Sequence, residues 1–391
     1  MDTQRLRMEL NSLVIFRGLR EDSVIRKLEA LLREDGDTAA MADRYAAFAE
    51  ALYRAGGNLT EYVLNSALED ENVYVLRRAA GEDVSKLEEC LENELGLLEK
   101  ISRLRPEDVK KLVAYDGYLP GWETGEEDFV SAYRQRMKEL PFKGFGIFSR
   151  HRMFTVKDSE LRPVKWPDPV KLCELKGYER QRQAVAGNTL ALLAGKPAAN
   201  ALLFGDAGTG KSSTVKAMVN EYWDKGLRLV EINKNQTGDI PAVIEAVCRN
   251  PLKFILFIDD LSFAGEGDGF YALKAALEGS AAAKAPNTVI YATSNRRHLV
   301  KETFSDRQGD DVHRGETIQE LISLSARFAL TVGFLRPDKA LYLRIVRELA
   351  GDAGLDIGDE RLELEAERFA EGGRSPRAAK QFIEQLKRTH V

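Results

Sequence analysis

The stretch LLFGDAGTGKSSTV, from Leu202 to Val215, changes character twice over a short distance. An apolar run ends at Phe204, a glycine-rich segment with one lysine follows, and the chain then turns apolar again. The segment from Gly205 to Ser212 fits the pattern G-x-x-x-x-G-K-[ST], in which glycines let successive backbone N–H groups point at bound phosphates. It lies between a predicted strand and a predicted helix. Context and motif together therefore indicate a phosphate-binding loop.

Every residue of this loop is a candidate for contacting phosphate groups. The lysine of the motif reaches the β- and γ-phosphates of a nucleotide, and its hydroxyl residue holds Mg²⁺. The start of the following helix adds partial positive charge at the same place. The predicted nucleotide-binding residues are Gly205, Asp206, Ala207, Gly208, Thr209, Gly210, Lys211, Ser212 and Ser213. Ser212 is in addition a predicted magnesium ligand.

Two further apolar runs end in polar side chains. The run at 254–258 is followed by Asp259 and Asp260, and the run at 289–293 is followed, after one serine, by Asn295. A buried strand has no packing reason to end in two carboxylates, whereas a metal site needs them. We therefore predict that Asp259 holds Mg²⁺ and that Asp260 orients and deprotonates an attacking water. Asn295 stands at the carboxyl edge of the predicted sheet, where ligand-facing groups lie.

Beyond residue 166, apolar runs alternate with amphipathic segments, which is typical of a parallel sheet flanked by helices. The predicted strands are 201–204, 227–232, 254–258, 288–292 and 328–334. Helical segments follow residue 335, and the last begins with Ser375 as N-cap and Pro376 in the first turn. The predicted fold class is therefore α/β, a doubly wound parallel five-stranded sheet of the P-loop type with a C-terminal helical bundle.

The first part of the chain has a different sequence pattern. From about residue 22 to residue 140 it is helical and strongly charged, and 84–101 carries an apolar stripe at three- and four-residue steps. Between 141 and 169, glycines, aromatics and prolines replace this periodicity, which indicates an extended or strand-like connector. The predicted domains are a mainly helical N-terminal domain with this connector at 1–165, an αβα nucleotide-binding domain at 166–335 and a helical domain at 336–391.

Composition and charge exclude some classes of protein. With 391 residues, of which 44% are hydrophobic, the chain can bury a sizeable core, and no apolar stretch is long enough to cross a bilayer. The start of the chain carries scattered charges rather than the apolar segment of a secretory signal. Three widely spaced cysteines suit a reducing compartment, and a net charge of -5 argues against a surface devoted to nucleic-acid backbones. We expect a cytoplasmic protein that does not enter a membrane.

Together these motifs give the chain from about residue 175 to residue 391 a resemblance to the AAA+ ATPases. The loop at 205–212 matches Walker A, 254–260 matches Walker B, and Asn295 matches sensor 1. The stretches KFILFIDDLSF, YATSNRRHL and SLSARF further resemble a bacterial subgroup known mainly as a domain of unknown function. The resemblance implies ATP and Mg²⁺ as ligands, a catalytic αβα domain and a helical lid. It also implies a homo-oligomeric ring, for example a hexamer, with nucleotide at the subunit boundaries.

The resemblance implies roles for residues that carry no motif of their own. Arg327, in LSARF before the fifth predicted strand, takes the position of the arginine finger that reaches a neighbouring subunit's γ-phosphate. Arg377 matches sensor 2, with Arg374 near enough in the sequence to compete for that role. Tyr178, in LKGYERQ, matches the segment that flanks adenine. The predicted catalytic residues are Asp260, Asn295, Arg327 and Arg377.

Three departures from the family limit what can be carried over. The family usually has Glu where this chain has Asp260, which is one methylene shorter and favours slow hydrolysis. The segment 233–247 lacks the aromatic-hydrophobic-glycine loop with which protein-threading members pull a polypeptide, and its NKNQ start lacks the Asp of a guanine-reading motif. The N-terminal domain shows no motif from which a role can be carried over. We expect it to recognise the partner, a protein or a nucleic acid.

Two interpretations of the function follow from these features. The first is an Mg²⁺-dependent ATPase that remodels or loads a partner as an oligomer. The second is a nucleotide-gated binding or regulatory module whose hydrolysis is slow or negligible. A small-molecule P-loop kinase fits less well, because Asn295, Arg327 and a helical lid have no natural role in it.

Overall fold

The computed structural model describes residues 2–33, 35–261, 273–277, 285–295 and 326–389. The chain forms two compact units. The first comprises Met1–Arg150 together with Arg249–Pro251, and the second comprises His151–Cys248 together with Leu252–Val391. Residues 151–165, assigned from the sequence to the N-terminal domain, lie in the second unit because they add strands to its sheet.

The described part of the first unit is built from α-helices. They are α1 (Thr3–Asn11), α2 (Ser23–Leu31), α3 (Thr38–Arg54), α4 (Leu59–Glu69), α5 (Val73–Ala79), α6 (Glu88–Ser102), α7 (Pro106–Val113), α8 (Phe129–Lys138), α9 (Leu140–Lys143) and α10 (Ile147–Arg150). Several begin at a side chain that accepts hydrogen bonds from the first turn, as Asp22, Asn58 and Asp128 do. Such caps satisfy N–H groups that have no partner inside the helix, and so they define where each helix starts.

The core of the first unit is apolar and rich in aromatic side chains. The stripe predicted at 84–101 is confirmed, because α6 turns its apolar positions inward. Its buried hydrophobic residues are Leu91, Leu95, Leu98 and Ile101. The ring of Trp122 lies 5.5 Å from that of Tyr45 and 5.0 Å from that of Phe48, and both of these partners are fully buried. The unit thus has a hydrophobic core of its own.

The second unit contains a sheet that confirms the α/β class. Its strands are β1 (Met153–Lys157), β2 (Glu160–Pro163), β3 (Ala201–Gly205), β4 (Leu227–Glu231), β5 (Lys253–Ile258), β6 (Thr288–Ser294) and β7 (Leu330–Phe334). Among the residues that the structure describes, the order is β2-β1-β4-β5-β6-β3-β7. All neighbours are parallel except β1 and β2, which are antiparallel. The predicted strands correspond to β3, β4, β5, β6 and β7.

The sheet has seven strands rather than the five predicted, because the connector supplies two more. β1 pairs in parallel with β4, and β2 returns antiparallel to β1. The turn between them places Asp158 and Ser159 at φ values of 53° and 58°, the backbone that a two-residue hairpin requires. Glycine or asparagine usually marks such turns, and neither is present here. Met153, Phe154 and Val156 are buried, so β1 extends the core of the sheet.

The parallel strands bring three loops to one edge of the sheet. The helices between the strands include α11 (Glu179–Leu193), α12 (Lys211–Tyr222) and α13 (Ile240–Cys248). β5, β6 and β3 lie side by side and run in the same direction. The loops that follow them therefore leave from neighbouring positions at the carboxyl edge, where open α/β sheets bind their ligands.

Helices also form the end of the described chain. They are Lys339–Asp352, Asp359–Phe369 and Pro376–Thr389, and the last is called the terminal helix below. Its predicted start is confirmed, since Ser375 Oγ accepts a hydrogen bond from Ala378 N at 3.1 Å and Pro376 is the first helical residue. The rings of Phe369 and Phe382 lie 5.6 Å apart and join the last two helices. Among the described residues, no helix is both long and apolar enough to span a membrane.

Candidate functional site

Three glycines shape the loop between β3 and α12. Gly205, Gly208 and Gly210 have φ values of 137°, 76° and 92°, a backbone region that glycine adopts readily and other residues rarely. At Gly205 a side chain is also excluded by its surroundings, because a Cβ atom would lie 2.1 Å from the carbonyl oxygen of Phe334. The glycines turn the chain sharply from the end of the strand into the first turn of α12.

This turn leaves a row of backbone donors unpaired. Within the part of the chain that the structure describes, no protein acceptor takes the N–H groups of residues 207–213. The first turn of any helix has such donors, and here the preceding loop adds to them. Unpaired N–H groups together with the partial positive charge of a helix start favour a bound anion.

Lys211, the first residue of α12, holds its ammonium group inside the loop. The residue is only 5% exposed. Its Nζ donates to the carbonyl oxygens of Gly205 at 3.0 Å and Asp206 at 2.8 Å, and to Oδ1 of Asn295 at 2.9 Å. Burial lowers the pKa of this ammonium group, while the charges of Asp206 and Asp259 act in the opposite direction. A buried positive charge therefore lies beside the row of unpaired N–H groups.

Asp259, directly after β5, accepts two hydrogen bonds at a single oxygen. Ser212 Oγ donates to Asp259 Oδ1 at 2.6 Å, and Thr293 Oγ1 donates to the same oxygen at 2.5 Å. The contact joins α12, β5 and β6. Among the described residues, no group of three or more His, Cys, Asp or Glu is placed to hold a metal ion. A Mg²⁺ ion at this pair would therefore take its remaining oxygen ligands from water and phosphate, as is usual for this ion.

Asp260 has a left-handed backbone, with a φ of 52°, which is uncommon for a residue other than glycine. Its N–H donates to Thr293 Oγ1 at 2.9 Å, and the N–H of Leu261 donates to the carbonyl oxygen of Thr293 at 2.7 Å. Its carboxylate accepts a hydrogen bond from Asn295 Nδ2 at 2.8 Å. Because the same amide group also binds Lys211, Asn295 links the exposed carboxylate to the buried ammonium group.

The loop is also held from the end of β7 and from the terminal helix. Asp206 Oδ2 accepts a hydrogen bond from the N–H of Arg336 at 2.7 Å. The N–H of Arg377 donates to the carbonyl oxygen of Gly208 at 3.2 Å. A Cβ atom at Gly208 would lie 3.2 Å from Cβ of Arg377 and 3.3 Å from Oγ of Ser375. The start of the terminal helix therefore lies directly against the loop.

Arg374, the competitor of Arg377, is bound elsewhere. Its Nε and one terminal nitrogen donate to the carboxylate of Glu367 at 3.1 and 2.9 Å. This paired carboxylate raises the pKa of Arg374, and Lys339 lies 3.4 Å from the same carboxylate. Of the two arginines, it is Arg377 that contacts the loop.

Tyr178 has its side chain packed into the protein. The residue is 6% exposed, its ring lies 5.4 Å from that of Phe334, and its hydroxyl donates to the carbonyl oxygen of Leu335 at 2.5 Å. Burial raises the pKa of this hydroxyl to about 12. Its backbone is left-handed, with a φ of 58°. The ring thus packs against the end of β7 and is almost closed to solvent.

Arg327 approaches the sheet from the edge opposite to the loop. β7 runs parallel to β3, with Leu330 beside Ala201 and Phe334 beside Gly205. Arg327 precedes the amino end of β7, whereas the loop leaves the carboxyl end of β3. The four residue steps of the strand separate these edges by ~13 Å. The resemblance also places Arg327 at the end of a helix, and the segment before residue 326 lies outside the described residues. The structure therefore groups the other predicted catalytic residues at the loop and places Arg327 apart from them.

A comparison with known families shows which proteins share these features. Residues 148–390 match the model of a family described as a protein of unknown function, DUF815. This range is more than half of the chain. The chain belongs to the DUF815 family. The match begins just before β1 and extends past the end of the terminal helix, so it covers the sheet and all the residues of the candidate site. The resemblance to a subgroup of unknown function is confirmed.

Solved structures of a motor protein are similar to this DUF815 chain. The RuvB Holliday junction branch migration motor of Thermotoga maritima is 15% identical, with a TM-score of 0.39, over 56% of this chain and 65% of that chain. An arginine-to-alanine variant of RuvB is 16% identical, with a TM-score of 0.39, over 57% and 66%. The DUF815 chain thus spans just under two thirds of the RuvB length. A comparison with curated proteins finds no match.

The structure adds two contacts of the DUF815 site that the sequence did not reveal. One is the backbone N–H of Arg336 on Asp206, which only the pairing of β7 with β3 brings into place. The other is Thr293, which contacts both carboxylate residues. Thr293 stands two positions before Asn295 in YATSN. A polar side chain at the end of the apolar run 289–293 is the signal that could have found it.

Proposed function

We propose that this protein binds ATP with Mg²⁺, hydrolyses it, and as a homo-oligomer uses the cycle to remodel or load a partner. The observation that carries the proposal is the convergence of side chains from three elements at one edge of the sheet. They are Lys211, Ser212, Asp259, Asp260 and Asn295. A buried cation, a hydroxyl, two carboxylates and an amide in one hydrogen-bonded group suit phosphoryl transfer, where positioning and electrostatics supply most of the catalysis.

The loop fits the phosphates of a nucleotide in charge and in shape. Residues 207–213 offer N–H groups without protein acceptors in the described chain, and Lys211 offers a buried ammonium group beside them. Gly205, Gly208 and Gly210 keep Cβ atoms away from the turn. We therefore assign the whole predicted loop to phosphate binding, with Lys211 facing the β- and γ-phosphates.

Ser212 and Asp259 fit the magnesium site. Both present oxygen atoms, the ligands that Mg²⁺ prefers, and the two atoms already lie 2.6 Å apart. When bound, the ion would neutralise charge on the phosphate oxygens. We assign Asp259 as the carboxylate ligand and Ser212 as the hydroxyl ligand.

Asp260 is the residue we assign to orient and deprotonate the attacking water. It is exposed at the carboxyl edge, adjacent to Asp259, and its carboxylate is held by Asn295 at 2.8 Å. Asn295 thereby orients Asp260, the proposed base, and it also contacts the ammonium group of Lys211. A base held in this way loses little freedom when the reaction begins, which favours catalysis.

We propose that the C-terminal helices act as a lid and that Arg377 contributes a charge to the nucleotide site. The N–H contact of Arg377 with Gly208 places this residue at the loop, whereas Arg374 is held by Glu367. The segment of Gly177 and Tyr178 would flank the base through its backbone. A Cβ atom at Gly177 would lie 2.7 Å from a methyl group of Ile345, so this segment packs closely on the first lid helix.

Steady-state turnover of the purified full chain tests the proposal. We expect release of phosphate from ATP that requires Mg²⁺ and stops on addition of excess chelator. Because Asp260 is one methylene shorter than the glutamate usual in AAA+ proteins, we expect about 1 s⁻¹ or less, the low end of enzyme turnover. Isothermal calorimetry gives the matching binding measurement. A protein that binds no ATP at millimolar concentration, with or without Mg²⁺, would contradict the whole assignment.

The same geometry supports a second candidate, a nucleotide-gated binding or regulatory module. The short Asp260 side chain is held by Asn295, and this contact can keep the carboxylate from an attacking water. Such a protein would bind ATP, change its oligomeric state and recruit a partner with negligible hydrolysis. ATP that stays intact on the protein for hours, together with a particle size that changes when ATP is added, would favour this candidate over the ATPase.

We propose that Arg327 is an arginine finger, which contacts the γ-phosphate of the nucleotide bound to a neighbouring subunit. Since β7 starts at the edge opposite to the loop, Arg327 is separated from the nucleotide site of its own chain. We expect Arg327→Ala to lower turnover about 1,000-fold while ATP affinity changes little, because such a finger stabilises charge that develops during transfer. Turnover per subunit should also rise with protein concentration.

Mixing two inactive variants tests the trans arrangement directly. Arg327→Ala subunits retain an intact loop, and Lys211→Ala subunits retain an intact finger. A boundary that combines them has both, so the mixture should recover measurable turnover. If the mixture shows no turnover, and if turnover per subunit of the wild-type protein is constant over a wide dilution range, Arg327 does not act between subunits.

A further inference from the structure

We propose that Thr293 is a positioning residue that holds both carboxylates of the site and sets the affinity of the protein for Mg²⁺ together with nucleotide. The inference rests on the nucleotide-binding function proposed above. It assigns to one buried hydroxyl group, near the end of the strand that leads to Asn295, control over the orientation of Asp259 and Asp260.

The hydroxyl group of Thr293 is both a hydrogen-bond donor and a hydrogen-bond acceptor. It donates its single proton to Asp259 Oδ1 at 2.5 Å and accepts the N–H of Asp260 at 2.9 Å. A threonine hydroxyl has one proton and two lone pairs, so these two bonds are compatible and together define its orientation. The residue is 2% exposed, which leaves no room for solvent to replace either bond.

At Asp259 the effect of Thr293 is to orient the carboxylate. Thr293 and Ser212 both donate to Oδ1, and neither of these bonds uses Oδ2. Ser212 is itself an assigned metal ligand, so its oxygen must serve the ion as well as the carboxylate. Thr293, by contrast, is not assigned as a metal ligand. It is therefore the donor that keeps the Asp259 carboxylate in place, as groups behind a metal ligand commonly do.

At Asp260 the effect of Thr293 is to support an unfavourable backbone. A left-handed conformation costs free energy for a residue with a side chain and persists only where surrounding contacts hold it. Thr293 supplies two such contacts, since its hydroxyl takes the N–H of Asp260 and its carbonyl oxygen takes the N–H of Leu261. The turn points the Asp260 carboxylate to Asn295, and without the hydroxyl the N–H of Asp260 loses its partner.

Substitution of Thr293 separates positioning from packing. Thr293→Val keeps the branched shape and removes the hydroxyl, whereas Thr293→Ser keeps the hydroxyl and removes a methyl group. Thr288→Val is the matched control, because Thr288 is 6% exposed, lies at the other end of the same strand, and donates to the carbonyl oxygen of Ala285 at 3.2 Å. Thermal unfolding followed by circular dichroism establishes that each variant is folded.

The decisive measurement is ATP affinity by calorimetry in excess Mg²⁺ and in excess EDTA, which requires no hydrolysis. For Thr293→Val we expect the gain in ATP affinity in excess Mg²⁺ over excess EDTA to fall by about 10-fold or more, the size of effect that groups behind a metal ligand have. Affinity in EDTA should change less than about twofold, since the loop is untouched. Where turnover is measurable, kcat should fall about 10-fold. Thr293→Ser and Thr288→Val should behave as the wild-type protein does.

Three outcomes overturn the inference, and they are distinguishable. Wild-type Mg²⁺ dependence in Thr293→Val contradicts positioning while leaving the nucleotide site intact. A folded Thr293→Ser that is as impaired as Thr293→Val shows that the methyl group, and hence packing, is what matters. A wild-type protein that binds no ATP in either buffer removes the proposed function and this inference with it. Should Thr293→Val fail to fold, Thr293→Ala is compared with Thr293→Ser in the same way.

Discussion

Replacing Lys211 by alanine is expected to abolish tight ATP binding. The ammonium group is the one cation buried inside the described loop, where Nζ already contacts three oxygen atoms. Bound phosphates would exchange these neutral partners for charged ones. Two charge-assisted hydrogen bonds of about 2 kcal/mol each correspond to a loss of about 1,000-fold in affinity. Calorimetric titration with ATP and Mg²⁺ measures this loss, and turnover should vanish with it.

Lys216→Ala is the matched control for this prediction. Lys216 lies on the same helix as Lys211 and faces Glu231, with 3.3 Å between its ammonium nitrogen and the carboxylate. The pair is partly exposed, and such pairs contribute little to stability. We expect wild-type ATP affinity and turnover for Lys216→Ala. If Lys211→Ala retained the affinity of this control while folded, the loop would not be a phosphate site.

The sequence predicted the loop and its carboxylates because their chemistry is local. Glycines at set spacings before a lysine specify a turn whichever fold surrounds them, and two aspartates after an apolar run stand out against the burial of that run. The α/β class followed from the alternation of apolar and amphipathic segments. For the same reason, the cap at Ser375 and the stripe of α6 were predicted correctly, since each depends on neighbours along the chain.

The remaining features depend on contacts between distant segments. The strand β1 joins the sheet through β4, and its hairpin turn uses Asp158 and Ser159 where the sequence signal would be glycine or asparagine. The sequence also left Arg374 and Arg377 as alternatives for the sensor 2 role. The partner of Arg374 is Glu367, seven residues earlier, and the turn that follows the helix of Glu367 brings the pair together. Thr293 escaped notice because its position in the strand fits no periodic pattern and its contacts with Asp259 and Asp260 join separate strands.

Asp259→Ala is expected to remove Mg²⁺-dependent turnover, whereas Asp260→Asn should keep ATP binding and lose hydrolysis. The two neighbours differ in their contacts. Asp259 Oδ1 lies 2.6 Å from the hydroxyl of Ser212, at the place assigned to the ion. Asp260 is exposed and contacts Asn295 instead. The first variant should therefore lose the difference in ATP affinity between Mg²⁺ and EDTA, and the second should retain it.

The size of the Asp260 effect follows from general-base catalysis. An amide cannot take a proton from water, and loss of a positioned base costs about 100- to 10,000-fold in rate. Asp260→Asn changes the volume little and leaves an oxygen to accept the hydrogen bond from Asn295, so ATP affinity should stay within about twofold. Asp224→Asn, on an exposed turn after α12, makes the same chemical change away from the site. We expect it to leave ATP affinity and turnover unchanged.

Asp260→Glu decides whether the carboxylate or only the shape matters. A carboxylate one methylene longer can still accept a proton, and glutamate is usual here in the AAA+ proteins that the sequence resembles, so this variant should retain at least the wild-type rate. Phosphate release from ATP, measured at saturating Mg²⁺, compares the three proteins. Wild-type turnover in Asp260→Asn would show that another group is the base. Equal loss in Asp260→Asn and Asp260→Glu would show that the left-handed turn tolerates only aspartate, and that geometry rather than proton transfer limits the rate.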